Sequence, residues 1–153
     1  MSADLYHLMG EALKEAEQGF QEGEVPVGAV LADSEGCIVA RAHNRPMALN
    51  DPTAHAEILA MRMAGSYYQN YRLNQALLVV TLEPCAMCMG AAIHARVARL
   101  VFGARDPKAG AAGSLLNLAH DSRLNHAIEV ESGIREQECR ALMQAFFRVR
   151  RGK

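Results

Sequence analysis

Two short strings carry residue types that do metal chemistry: His55-Ala56-Glu57 and Pro84-Cys85-Ala86-Met87-Cys88. One histidine and two cysteines make three soft or borderline ligands, a set suited to zinc. Cys85 and Cys88 are three apart, so in a helical turn both sulfurs lie on one face. Three protein ligands leave the fourth tetrahedral position for water, the pattern of a catalytic site and not a structural one. Residues two apart on a helix point about 200° from each other. A site on a helix flank therefore cannot use both His55 and Glu57, whereas a site at the helix tip can. The metal is expected between the N-terminal tips of two helices, with Glu57 beside the water and outside the ligand set. A carboxylate there can take a proton and pass it on. The positive ends of the helices also favour the thiolate that a metal requires.

Either string alone says less. A lone histidine on a helix is usually a satisfied surface or core residue, and Cys-x-x-Cys also fits a redox pair or half of a structural zinc site. The spare candidates Cys37, Cys139, His43, His94, His120 and His126 lie at no finger-like spacing. Cys37 and Cys139 read as buried thiols. Glu83, at a strand end, reads as a cap or a solvated carboxylate. Asn44, ahead of Arg45-Pro46, fits a turn residue as well as a ligand-binding one.

The elements that must hold these residues are visible in the apolar pattern. Leu5, Leu8, Met9, Ala12, Leu13, Ala16 and Phe20 recur at three- and four-residue steps, which predicts a helix ending near Gly19 or Gly23. Val27–Ala32 and Cys37–Ala42 flank Asp33-Ser34-Glu35-Gly36 and predict a hairpin. Asn44–Pro52 reads as a loop, and Asp51-Pro52-Thr53 as the start of a helix that runs to Gly65. Ala76–Leu82 is a continuous apolar run, expected to be a buried central strand. Pro84 breaks it, and Ala86–Ala95 follows as a helix. Arg99–Gly103 and Ala127–Val130 read as strands. Leu115–Ala119 reads as a short helical stretch, and Ile134–Arg150 as a last helix with Cys139, Leu142, Met143 and Phe146 on its apolar face. The order predicts an α/β fold, a three-layer α-β-α sandwich around a mostly parallel sheet that begins with a hairpin. No linker or repeat interrupts it, so residues 1–153 are expected to form one domain.

Composition excludes several classes. The chain has 153 residues, half of them apolar and 22% charged, which is the mix of a folded domain and not of a disordered or collagen-like chain. No apolar stretch reaches the roughly 18 residues of a membrane span. Met1–Glu17 holds four acids and lacks the basic-then-apolar order of a signal peptide. The net charge of −1 hides an uneven distribution: −7 over residues 1–35, +1 over 36–139 and +5 over 140–153. A basic end of this kind suits phosphates, although it also suits the C-terminal end of a helix dipole. Arg148 and Arg151 are three apart and share a helix face, while Arg150 points elsewhere.

His-x-Glu followed by Pro-Cys-x-x-Cys is the signature of the zinc-dependent cytidine/deoxycytidylate deaminase superfamily, and the sequence resembles that family. The longer strings Asp51–Glu57, Thr81–Cys88 and Phe102–Ser114, with Glu24–Val30 and Phe146–Arg151, are similar to its bacterial tRNA-specific adenosine deaminase branch over nearly the whole chain. The resemblance implies a cytidine deaminase-like fold and one Zn²⁺ per chain on His55, Cys85 and Cys88. It implies hydrolytic conversion of adenosine to inosine at the wobble position of a tRNA anticodon loop, a single-stranded base that can be splayed into a pocket. Glu57 would deliver a proton to N1 of the base and help ammonia leave. Asn44 would bind the target nucleotide. The loop with Arg105, Asp106 and Lys108 would face the RNA, as would Phe147 if Phe146 takes the core, with Arg148 and Arg151 on phosphates. Met87 and Met89 flank the metal helix as core or as a subunit contact. A homodimer and a cytoplasmic location are also implied, with no membrane partner. A free-base or nucleoside deaminase of guanine or cytosine type is the alternative on the same fold. His43 stands where members often carry a bulky aromatic.

Overall fold

Alternation with a period of two puts Ala29, Leu31, Leu78, Val80, Leu100 and Phe102 on one sheet face and Val30, Ala32, Leu77, Val79 and Val101 on the other. All of them are buried, so this sheet needs cover on both sides. A computed structural model, describing residues 3–151, shows how the cover is built. In chain order the elements are α1 (Leu5–Gln21), β1 (Gly28–Ala32), β2 (Ile38–His43), α2 (Pro46–Leu49), α3 (Ala56–Tyr68), β3 (Leu77–Leu82), α4 (Ala86–His94), β4 (Arg99–Ala104), β5 (Glu129–Ser132) and α5 (Glu136–Arg151). The strand order is β2-β1-β3-β4-β5. β1 runs antiparallel to both β2 and β3, and β3, β4 and β5 are parallel, so four of the five strands point the same way. The architecture is an α/β sandwich with a mixed five-stranded sheet at its centre.

Helices α1 and α5 cover one face, where Leu8, Met9, Ala12 and Cys139 join Val30, Val79 and Val101. Helices α3 and α4 cover the other, where Ala56, Ala60, Ala64, Met89 and Ile93 pack on Leu31, Leu78 and Phe102. Alanine dominates the buried side of α3, which lets the helix lie close to the sheet. Gly28 does the same for α1, since a Cβ there would overlap the helix backbone at Ala12 and Ala16. Among the described residues no helix is long and apolar enough to cross a membrane.

Four local expectations are corrected. The Asn44–Pro52 loop contains the short helix α2, because the buried carboxylate of Glu24 accepts the N–H groups of Met47 (3.2 Å) and Ala48 (2.8 Å). Asp51 does not start α3. Its Oδ1 accepts the N–H and hydroxyl of Thr53 at 2.8 and 2.7 Å, which closes a turn, and the helix begins later, at Ala56 with His55 as its cap residue. Leu115–Ala119 is not helical. The Gly110 carbonyl draws in the N–H groups of Leu115 and Leu116, and Ala112 bridges Asn117, so the segment folds back as a tight loop. The last strand lies at Glu129–Ser132, two residues beyond the Ala127–Val130 run, because Ile128 is instead buried under the sheet with its N–H on Ala119. The reading of Cys37 as a buried thiol is corrected as well: it closes the β1–β2 turn, where Asp33 Oδ1 accepts its N–H at 3.0 Å, and it is exposed, whereas Cys139 is buried as expected.

Candidate active site

Strand β3 delivers the chain to Leu82-Glu83-Pro84, and Pro84 ends the sheet so that α4 can start at once. Cys85 is the cap residue of α4, with Cys88 in its first turn, and His55 is the cap residue of α3. Two helix N-termini thus converge at the carboxyl end of β3. Among the described residues, His55, Cys85 and Cys88 form one group whose ligand atoms all lie within 4.8 Å of one another. The Nδ1 atom of His55 is 3.6 Å from Cys85 Sγ and 3.5 Å from Cys88 Sγ. A tetrahedral zinc with sulfur at about 2.3 Å and nitrogen at about 2.0–2.1 Å requires a sulfur–nitrogen separation of about 3.5–3.6 Å. The donor set and its spacing therefore fit a zinc ion.

The electrostatics are consistent with that fit. The Cys85 thiol is pulled down to about 3 by hydrogen bonds from Cys88 and then from His55. Its hydrogen bond to Cys85, together with burial, pushes the Cys88 thiol up. Binding of a metal releases the proton that the second thiol retains.

Glu57 lies in the first turn of α3, 3% exposed, and burial pushes its carboxyl up to about 7. It stands outside the three-ligand group, on the wall of a cavity of about 180 Å³ that Val27, Asn44, His55, Leu82, Glu83, Cys85 and Ala109 also line. Asn44 Oδ1 accepts the Ala56 N–H at 2.9 Å, at the α3 N-terminus. With the oxygen committed, the Nδ2 donor is the group left for a ligand. His43, next to it, is held between Glu15 and Glu22 of the α1 segment at 3.2 and 3.1 Å.

A larger groove, of about 760 Å³, adjoins this cavity, and Leu82 and Asp106 line both. Arg105, Asp106, Lys108, Phe147, Arg148 and Arg151 all line it, so the structure brings these residues together. Arg150 turns away and stacks over Phe146, 5.3 Å from the ring centre. Phe146 is buried and Phe147 is 44% exposed. Sequence reasoning missed Arg140, Met143 and Gln144 in this groove. The steps of four, four and three from Arg140 through Gln144 and Arg148 to Arg151 mark one helix face and could have revealed it.

Glu83 is neither a helix cap nor solvated. It is 2% exposed, and its carboxylate accepts the N–H groups of Asp106, Ala112 and Ser114, each at 3.0 Å, and the Ser114 hydroxyl. Burial raises its carboxyl, but these hydrogen bonds outweigh burial and hold it below the usual range.

This sandwich, with a His/Cys/Cys group able to hold a metal at two helix tips and a buried carboxylate beside it, has the arrangement of a metal-dependent hydrolytic enzyme. Residues 2–104 match the model of the cytidine and deoxycytidylate deaminase zinc-binding region, and the chain belongs to that family. Within it, the chain is 49% identical over 145 residues to the tRNA-specific adenosine deaminase of Bacillus subtilis strain 168, covering 95% of this chain and 89% of that one. It is 47% identical to the enzyme of the same name from Haemophilus influenzae, covering 94% of this chain and 83% of the other. A solved structure from a study of A-to-I editing by tRNA:A34 deaminases superposes with a TM-score of 0.86 at 46% identity, over 89% of this chain and 98% of that one. A guanine deaminase structure from B. subtilis gives 0.61 at 36% identity, over 65% and 63%.

Proposed function

We infer that this protein is a hydrolytic tRNA adenosine deaminase that converts adenosine to inosine at the wobble position of an anticodon loop. The observation that carries the reading is the joint between the small cavity and the cationic groove at Leu82 and Asp106. A single flipped base suits the cavity, and the strand on either side of it suits the groove. Free guanine or cytosine would need only the cavity and leave the cations without a role.

His55, Cys85 and Cys88 would hold one zinc ion per chain. Bound there, zinc supplies Lewis acidity, which makes water a usable nucleophile near neutral pH. The other steps fall to the chain's own residues. Asn44 donates from Nδ2 and orients the base, with its own oxygen anchored on the α3 N-terminus. Glu57 takes one proton of the attacking water and delivers it to N1, then takes the proton of the new C6 hydroxyl and passes it to the C6 amine, so that the C6–N bond breaks, ammonia leaves and the C6 carbonyl forms. The apolar walls at buried Val27 and half-buried Leu82 limit the access of bulk water to that exchange. Arg105, Lys108, Arg148 and Arg151 hold phosphates, Asp106 shapes the junction, and Phe147 offers an exposed ring for stacking. One domain over residues 1–153 carries the activity in this reading, with residues 1, 2, 152 and 153, including the basic Lys153, outside the described residues. Met89 is in the core, and exposed Met87 on α4 supports a homodimer contact. The tRNA substrate implies a cytoplasmic location.

The test is incubation with an unmodified tRNA bearing adenosine at the wobble position, followed by nucleoside analysis. Inosine is the expected product. Turnover of free guanine or cytosine with no inosine formed would favour the alternative. A second expectation concerns the groove. The double variant R148A/R151A should bind tRNA more weakly, and each lost phosphate contact should lower the log-affinity versus log-salt slope by about 0.7–0.9. Single-turnover rate at saturating tRNA should change little. R150A, whose side chain leaves the groove, should bind nearly as the parent does.

A further inference from the structure

We propose that Glu83 is a positioning residue for tRNA recognition: its buried carboxylate latches the segment 105–114 to the end of β3 and so fixes where Arg105, Asp106 and Lys108 meet the substrate. The proposal rests on the tRNA reading above for its consequence, but not for the latch itself.

A buried carboxylate is costly unless its lone pairs are filled. Ionised, it offers about four acceptor sites. Here all four are used: Oε1 takes the Asp106 N–H and the Ser114 hydroxyl, and Oε2 takes the Ala112 and Ser114 N–H groups. No arginine or lysine is among the partners. Every donor belongs to one loop, so the carboxylate is satisfied out of water only while that loop is closed. The fit is close, since a Cβ on Gly110 would overlap the Glu83 carboxyl group. Ala111 adds a main-chain bond of 2.8 Å to the Pro84 carbonyl.

The latch reaches the functional groups through Asp106. Its N–H is held by Glu83, and its own Oδ1 accepts the N–H groups of Lys108 (3.1 Å) and Ala109 (3.2 Å). Asp106 lines both the cavity and the groove, and Ala109 lines the cavity. One side chain, two residues before Cys85, therefore sets the loop that joins the base site to the phosphate groove. A carboxylate is specifically required. Glutamine would turn an NH₂ toward N–H groups that need an acceptor, and aspartate is one methylene short.

The test compares the parent, E83Q, G110A and S114A as full chains loaded with zinc. Without tRNA, hydrogen exchange in peptides spanning 105–114 should quicken at least about tenfold in E83Q and G110A, and less in S114A, which loses one bond of the four. With an anticodon stem-loop substrate, kcat/KM should fall at least about tenfold in E83Q, mostly through KM. The E83Q/G110A double variant should be little worse than either single one, because both open the same latch. Parent-like exchange and KM in E83Q would overturn the proposal, as would a fall in kcat with KM unchanged, which would assign Glu83 to the metal site. If E83Q does not fold, unchanged loop exchange and KM in both G110A and S114A would overturn it. Failure of the tRNA reading is seen separately, as a parent that forms no inosine.

Discussion

Glu57→Gln is expected to retain about one zinc per chain and the parent fold while losing deamination of tRNA almost entirely. The amide matches the carboxylate in shape but cannot take up or release a proton. A single positioned acid–base group contributes roughly 10²- to 10⁴-fold, and Glu57 serves more than one transfer, so kcat should fall by at least about that factor. The side chain is buried in the first turn of α3, beside the ligand group but not one of its three members, and glutamine keeps its shape, so neither metal content nor melting temperature should move much. Metal analysis, thermal unfolding and single-turnover inosine formation on the same preparation check all three points. Turnover near that of the parent would remove Glu57 from the mechanism.

His55→Ala and Cys85→Ala are expected to behave differently from E57Q. Each removes one of three ligand atoms that converge within 4.8 Å. Zinc content should drop well below one per chain and inosine formation should become undetectable. An ion that binds only the folded state stabilises it by mass action, worth about 2.7 kcal/mol at a hundredfold excess over Kd. These variants should therefore also melt at a lower temperature, and a chelator should lower the melting point of the parent towards theirs. Cys139→Ala is the control: that thiol is buried against β4, far along the chain from the ligand group, and its loss should leave zinc content unchanged. Full zinc occupancy in His55→Ala would refute the assigned ligand set.

The contrast between these variants follows from how the site is encoded. Ligand type, the three-residue step from Cys85 to Cys88 and the two-residue step from His55 to Glu57 are local, and local geometry already demands a helix tip. The sheet was legible for a similar reason. A period of two in β1, β3 and β4 fixes which side chains share a face, wherever the strands end up. The hairpin turn, the break at Pro84 and the amphipathic faces of α1 and α5 are equally short-range.

What the sequence determined by itself, then, is the five strands and four long helices, the metal-type ligands and the basic face of the last helix, all carried by neighbours within about four residues. The tertiary structure decided what those neighbours cannot. It chose β2-β1-β3-β4-β5, an order in which β1 inserts beside β3 against the chain sequence. It placed the Glu24 carboxylate on the N–H groups of Met47 and Ala48, and so turned an expected loop into α2. It spent Asp51 on its own turn and moved the start of α3 to Ala56, which made His55 a cap residue. It folded segment 105–114 around Glu83 and joined the groove to the cavity. Strand order is set by which apolar faces pack together, and Glu24 and Glu83 find partners more than twenty residues away, so only burial in the finished fold sets which contacts and hydrogen bonds cost less to make.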